Sequence, residues 1–448
     1  MDKGFWGVNY FIFLSWDARY TATFLSAAFF QWTGLKYYGL SAFCLIIATF
    51  GSSFLLASRL APKDYSYWRL SGFTLIFWVF YWLIAKPDAL GGADFVLVGQ
   101  FLYRAGSYCY QTSLILVFLI VSFLIDFHQT QSKTYRKILW VLIITSLILL
   151  VGTNEGTAIM MFLVIVYGLY KSFSNPVNLN LWLVMCFVLG GVLVWMIYGS
   201  GDQVRVFYYQ IKPHLYPMDH DWVFAISLGL SQTLFLMLSF LLNPVTWFLT
   251  WLLYPELSGF LKTRASWISE QDLWVIVIGL IFVGFFSDAW AMGVYVPPRY
   301  YGVMATLGFF ASLGLLTCMS EILREKFKYL KQISWPGFVI AGISLILTIY
   351  LHQVLIPVVS DLSIAISKAS LFDASYKNIV KKLELAQAKH QDQIILSRAE
   401  FLPEVPILDY FVSIPSSRFE GPVSLEERTK SLAADLAFYY GVKKVKIQ

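Results

Sequence analysis

Charge is what this sequence has least of. Asp, Glu, Lys and Arg make up 13% of its 448 residues, where a soluble domain carries about 25%. That is too little to clothe a water-facing surface of this size, so a soluble globular protein is excluded. Paired cysteines are also missing. Cys44, Cys109, Cys186 and Cys318 lie in or beside apolar runs with no CxxC spacing, and they read as small buried apolar residues rather than disulfides or metal ligands. There is no Walker loop and no GxGxxG between strand and helix, which removes nucleotide-dependent chemistry. Internal repeats and low-complexity tracts are absent, so solenoids and tandem arrays are excluded. The N-terminus has no basic stretch leading into an apolar core and a small-residue cleavage site, so no cleavable leader is expected.

What is present is apolar. Hydrophobic residues make up 58% of the chain and aromatics 18%, with a mean hydropathy of +0.65. The fold class is therefore an all-α polytopic membrane protein. Apolar runs predict spans near 38–58, 70–86, 110–126, 138–152, 157–171, 181–199, 223–243, 273–290, 302–320 and 336–356, about ten helices. Residues 20–33 are too short to span and predict an interfacial or re-entrant helix, with Phe24, Leu25, Ala28 and Phe29 on one face. The Trp-rich piece 245–254, after Asn243-Pro244, predicts a second interfacial segment.

The net charge of +6 resides in short loops beside spans, a topology signal and not a nucleic-acid surface. Arg59, Lys63 and Arg69 form one cluster, and Lys133, Arg136 and Lys137 another. Lys171, the pair Lys262 and Arg264, and the group Arg324, Lys326, Lys328 and Lys331 complete the set. With the spans above, all fall on one side, the cytoplasmic face by the positive-inside rule. The opposite side receives residues 1–36, 87–109, 153–156, 200–222 and 291–301 and the C-terminal region. Residues 1–357 are thus expected to be a transmembrane domain. Residues 358–448, where charges become frequent, are expected to be a small extracytoplasmic α/β appendage. Its predicted elements are helices over 373–390 and 424–440 and strands over 393–396 and 442–447.

Three clusters share the outer side. The first is Trp16-Asp17-Ala18-Arg19-Tyr20. It reads either as an interfacial anchor on lipid headgroups, or as a cavity wall with Asp17 as a catalytic carboxylate and Arg19 and Tyr20 beside an anionic group. The second is Asn154-Glu155, a turn between two apolar helices flanked by Gly152, Thr153, Gly156 and Thr157. An acid so near two spans needs water or a partner, and the small neighbours leave room for a ligand. The plainer reading is a solvated turn with Asn154 as helix cap. The third is Pro297-Pro298-Arg299-Tyr300-Tyr301, which places Arg299 near a helix N-terminus whose dipole favours phosphate. Tyr300 and its neighbours suit a sugar, a lipid headgroup or an ordinary aromatic belt, and Asp288 stands where it would balance Arg299. Arg104 adds a further outer cation, whereas Asp219-His220-Asp221 reads as a solvated loop before it reads as a metal site.

An outward-facing site among helices needs a donor delivered through the membrane. A polyprenyl-phosphate-linked sugar meets that need: its phosphate matches an arginine and its sugar the aromatics. A carboxylate would act as general base on the acceptor hydroxyl in an in-line displacement at the anomeric carbon.

These motifs resemble a family. Trp16-Asp17-Ala18-Arg19-Tyr20 is similar to the W-x-G-R-Y element of bacterial multipass proteins with a GT-C-like fold, related to O-antigen glucosyltransferases. Asn154-Glu155 resembles their N-E turn, Pro298-Arg299 their later P-R element, and the stretch from Ala434 to Val442, with Tyr439-Tyr440-Gly441, their C-terminal tail. The resemblance implies a GT-C-like glycosyltransferase using a polyprenyl-phosphate sugar donor and a glycan or glycolipid acceptor. The family's own acid is an acidic pair after its first span, which leaves Asp17 and Glu155 here as second-choice catalytic acids; Arg19, Tyr20, Asn154, Arg299 and Tyr300, on or beside the motifs, and the outer-loop Arg104 are the substrate- or phosphate-binding candidates. No motif specifies a cofactor, and a divalent cation, Mg or Mn, stays open. Two departures stand out. Ala18 replaces the family's glycine, and the family's first span with its acidic pair has no counterpart. The topology independently places residues 1–36 outside with no span to carry them there. Either a short tail crosses unaided, or translation starts upstream, or the chain lacks its main acid and is inactive. A transporter or flippase, and an envelope polysaccharide polymerase or ligase, are the competing readings.

Overall fold

The structure, a computed structural model, describes residues 19–33, 38–61, 65–84, 107–173, 179–198, 222–253, 257–259, 270–292, 298–326, 378–379, 381–391, 393–396 and 444–447. The chain divides into two compact units, residues 1–346 and 347–448.

The first unit is helical throughout its described residues. A short helix α1 (Tyr20–Thr33) precedes α2 (Tyr38–Leu60) and α3 (Tyr67–Ile84). A π-turn (Ser107–Gln111) leads into α4 (Thr112–Gln129), followed by α5 (Lys133–Val151), α6 (Glu155–Ser172) and α7 (Leu179–Ile197). Then come α8 (Trp222–Leu241), the short α9 (Pro244–Leu252), α10 (Glu270–Met292) and α11 (Pro298–Lys326). Helices are what a bilayer demands, because every backbone N–H and C=O must find its partner within the segment. Five stretches among the described residues are long and apolar enough to cross a membrane: Ala42–Leu60, Tyr108–Gln129, Lys133–Val151, Trp222–Leu241 and Gly302–Ser320. The 22 residues of Tyr108–Gln129 extend about 33 Å, against a hydrocarbon core of about 30 Å.

The expected helices and the observed ones coincide, apart from 336–356, which lies outside the described residues. Boundaries move for local reasons. α5 begins at Lys133, ahead of the expected 138, because Ser132 caps it by accepting from the Tyr135 backbone N–H at 3.3 Å. α11 begins at Pro298, ahead of 302, because proline suits the first helical position, where its missing N–H costs nothing. α9 starts the same way after Asn243, whose Oδ1 accepts from Val245 N at 2.9 Å. On α1, Thr21, Ala22 and Ala28 are buried and Phe24 is 38% exposed, so Phe24 is not on the buried face.

Side-chain contacts give the bundle two ends. At one end Arg59, closing α2, pairs with Asp126 near the end of α4 at 2.8 Å, and Tyr135 at the start of α5 donates to Asp126 at 3.3 Å. Gly168, late in α6, packs so closely on Trp182, early in α7, that a Cβ would lie 2.4 Å from the ring. At the other end Tyr20 meets Trp195 near the close of α7. Trp222, opening α8, meets Trp290 near the close of α10. Tyr81 near the close of α3 donates to Gly302 O in α11 at 3.0 Å. The basic residues Arg59, Arg69, Lys133, Arg136, Lys137 and Lys171 all belong to the Asp126 end. Large apolar side chains such as Trp68, Phe187 and Val223 are exposed along the flanks, as lipid contact requires.

In the second unit the described residues include a helix over 381–388 and two strands, β1 (Gln393–Leu396) and β2 (Lys444–Ile447). The strands pair in parallel, with Gln393 opposite Lys444 and Leu396 opposite Ile447. They match the expected strand positions. The expected helix over 424–440 lies outside the described residues.

The two-ended bundle predicts opposite labelling. In a cysteine-free background, Gln131→Cys (Asp126 end) and Tyr198→Cys (opposite end) should react with a membrane-impermeant maleimide from opposite sides of sealed vesicles. Labelling of both from one side would refute the alternation.

Candidate functional site

The site is built where α1 docks on the turn between α5 and α6. The first N–H groups of a helix and the last C=O groups of another have no partner within their own helix. Here they satisfy each other. Ala22 N donates to Gly152 O at 3.0 Å, and the Tyr20 hydroxyl donates to Ile148 O in the last turn of α5. The Tyr20 ring rests 5.9 Å from that of Trp195. Burial pushes the Tyr20 hydroxyl up to about 12, so it remains a donor at physiological pH. Docking this close depends on Gly152. A Cβ there would lie 2.5 Å from both Thr21 Oγ1 and Tyr20 Cε2.

The α6 start is fixed from within. Asn154 is its N-cap, with Oδ1 accepting from Thr157 N at 2.8 Å and from Thr157 Oγ1 at 3.0 Å. Thr157 Oγ1 lies 3.3 Å from Ser113 Oγ on α4, and Ser113 donates to Tyr110 O at 2.7 Å. Asn154, Thr157 and Ser113 are all buried. Glu155 is the first helical residue, where the dipole of α6 stabilises a carboxylate.

Arg19 and Glu155, 136 residues apart, meet here. Arg19 Nε donates to Glu155 Oε1 at 3.1 Å and to Oε2 at 2.9 Å, and Nη2 reaches Oε2 at 2.8 Å. Both side chains are 19% exposed. Arg19 Nη1 also points to Cys109 Sγ at 3.9 Å, within the π-turn. The guanidinium is thus held between a carboxylate on one helix and a thiol on another. π-turns inside helices are frequent at functional positions. This one packs on α1, α2 and α11. Around it, Thr21 Oγ1, Gln111 Oε1 and Thr112 Oγ1 are buried with no hydrogen-bond partner among the described residues. Gln111 Nε2 donates to Thr49 on α2 at 2.7 Å.

The structure therefore brings Arg19, Tyr20, Asn154 and Glu155 together. Arg299 and Tyr300 fall in the first turn of α11, at the same end of the bundle. That is a helix and not the loop expected over 291–301. Asp17 and Arg104 lie outside the described residues, as do Asp219, His220 and Asp221. The space expected beside the small residues of the Asn154-Glu155 turn is filled at Gly152 by Tyr20 and Thr21. Among the described residues, no three His, Cys, Asp or Glu side chains gather in a metal-holding group. The π-turn and Cys109 escaped the sequence reading. The signal available was a polar run, Ser107 to Ser113, leading straight into an apolar helix. No family model, curated protein or solved structure matches this chain.

Two outcomes are expected. Gly152→Ala should cost about 1–3 kcal/mol, the usual penalty of overpacking, read as a lower Tm in detergent. Wild-type stability would show that α1 is not docked there. A double-mutant cycle on Arg19→Ala and Glu155→Ala, by unfolding in mixed micelles, should give a coupling of about 1–2 kcal/mol. That value lies above an exposed ion pair at ~0.2–1, because both side chains are largely withdrawn from water.

Proposed function

We propose that the chain is a membrane glycosyltransferase with a GT-C-like fold. It moves a sugar from a polyprenyl-phosphate donor to a cell-envelope glycan or glycolipid, on the extracytoplasmic face of a bacterial inner membrane. The observation that carries the reading is the contact between Arg19 and Glu155. It joins two of the four motifs on which the family resemblance rests. The start of α11, which bears the third, lies at the same end. The basic residues at the Asp126 end favour a cytoplasmic location for that end, which supports the reading that Arg19 and Glu155 face outward. The extracytoplasmic C-terminal appendage and the ten-span count belong to this same reading.

Such a site suits a lipid-linked donor. The N-termini of α1 and α6 flank the Arg19–Glu155 pair and that of α11 stands at the same end, and each carries a partial positive charge of about half a unit. Arg19 and Arg299 add full charges. A donor phosphate is held by these groups. The acceptor oxygen attacks the anomeric carbon, the bond from that carbon to the phosphate oxygen breaks, and polyprenyl phosphate leaves with the electron pair. The acceptor's proton passes to a carboxylate, for which Asp17 and Glu155 are the candidates.

The test is genetic and chemical. Deletion of the gene, and Arg19→Ala or Arg299→Ala in its place, should remove one sugar from the envelope glycan, seen as a mass shift of the glycan and a lost linkage. An unchanged mass and linkage profile in all three strains would rule the enzyme out. Uptake of a solute by proteoliposomes would support the transporter instead.

A further inference from the structure

We infer that Glu155 is the positioning residue of Arg19 and not the proton acceptor of the reaction. The inference rests on the proposal that Arg19 binds a donor phosphate.

Arg19 is the residue before α1, and its carbonyl opens the helix by accepting from Thr23 N at 2.9 Å. An arginine side chain carries several rotatable bonds, and at a helix entry its own backbone does little to aim it. Its aim comes from Glu155. Nε and Nη2 lie along the carboxylate in a two-point contact at 2.8–3.1 Å, the geometry that fixes the guanidinium plane as well as its position. Cys109 Sγ bounds the Nη1 side. Glu155 is itself a rigid anchor. It occupies the first position of an 18-residue helix capped by Asn154, and the turn before it is held to α1 through Gly152 O.

The same geometry argues against base catalysis. Both carboxylate oxygens accept from Arg19, so one lone pair on each is already engaged in a charge-assisted hydrogen bond and only the second is left to meet an acceptor hydroxyl. A base is most effective with a lone pair turned to the reacting hydroxyl. A planar guanidinium with its orientation already set meets phosphate oxygens with less ordering left to do.

The experiment separates the roles by binding. Purified full-length protein in detergent micelles is titrated with a polyprenyl monophosphate, and with the corresponding polyprenol as the uncharged control. Wild type should prefer the phosphate. Glu155→Gln should weaken phosphate binding about tenfold without changing polyprenol binding. Arg19→Ala should weaken it at least as much, and adding Glu155→Gln to Arg19→Ala should change nothing more. In transfer assays Glu155→Gln should raise KM for the donor more than it lowers kcat. Should Glu155→Gln fail to fold, Glu155→Asp keeps the charge, shortens the reach by one methylene and carries the same comparison. The inference is overturned if Glu155→Gln binds phosphate as well as wild type, or more tightly, while kcat collapses. Glu155 would then be the base, or a mask over Arg19. A wild type that does not distinguish phosphate from polyprenol overturns the lipid-linked-donor reading itself.

Discussion

The end of α5 is the constraint on which the Arg19 end of this bundle depends. A helix closing near a membrane surface leaves carbonyls that its own backbone cannot satisfy, and each one left bare in an apolar setting costs several kcal/mol. Here α1 supplies a donor to Gly152 O, and the Tyr20 hydroxyl adds a second donor to Ile148 O, which already accepts from Gly152 N. That requirement draws the first turn of α1 onto the α5–α6 turn. The absence of a side chain at Gly152 allows the approach. The position of Arg19 then follows, because it is the residue immediately before the docked turn.

The two ends of the bundle each hold an arginine–carboxylate pair, and their surroundings separate them. Asp126 accepts from Tyr135 and pairs with Arg59, which ties α2, α4 and α5 together among surface lysines and arginines. That is a clasp between helix ends. Glu155 and Arg19 lie instead where α1 and α6 begin, so the positive ends of two helix dipoles add to the charge of the guanidinium. They lie beside a π-turn whose buried Gln111 reaches α2, and just beyond it Ser113 of α4 reaches α6. Buried polar groups are costly in an apolar bundle unless they are paired.

Much of the fold was legible because the bilayer filters the options. Runs of apolar residues long enough to span have to be helices, so α2 to α8, α10 and α11 could be placed from hydropathy alone. Ends were read less well. The early start of α5 depends on Ser132 as a cap, and that of α11 on Pro298, and both are short-range effects that a hydropathy window blurs. The π-turn was not legible. Residues 107–111 differ from an α-helical turn only in hydrogen-bond register, and that register is set by what α1, α2 and α11 press against it.

The site divides along the same line. The sequence by itself offered Asn154 as a helix cap and placed Arg19 and Arg299 at helix starts, since each depends on residues a few positions apart. Only the tertiary structure decided that Arg19 and Glu155 share a hydrogen-bonded pair across 136 residues, that Cys109 borders it, and that the space at Gly152 is filled by Tyr20 and Thr21. The physical reason is range. Caps and dipoles act within one turn of a helix and can be read locally. The partner of a guanidinium is whatever carboxylate the packing of distant helices brings within 3 Å, and no local pattern encodes that distance.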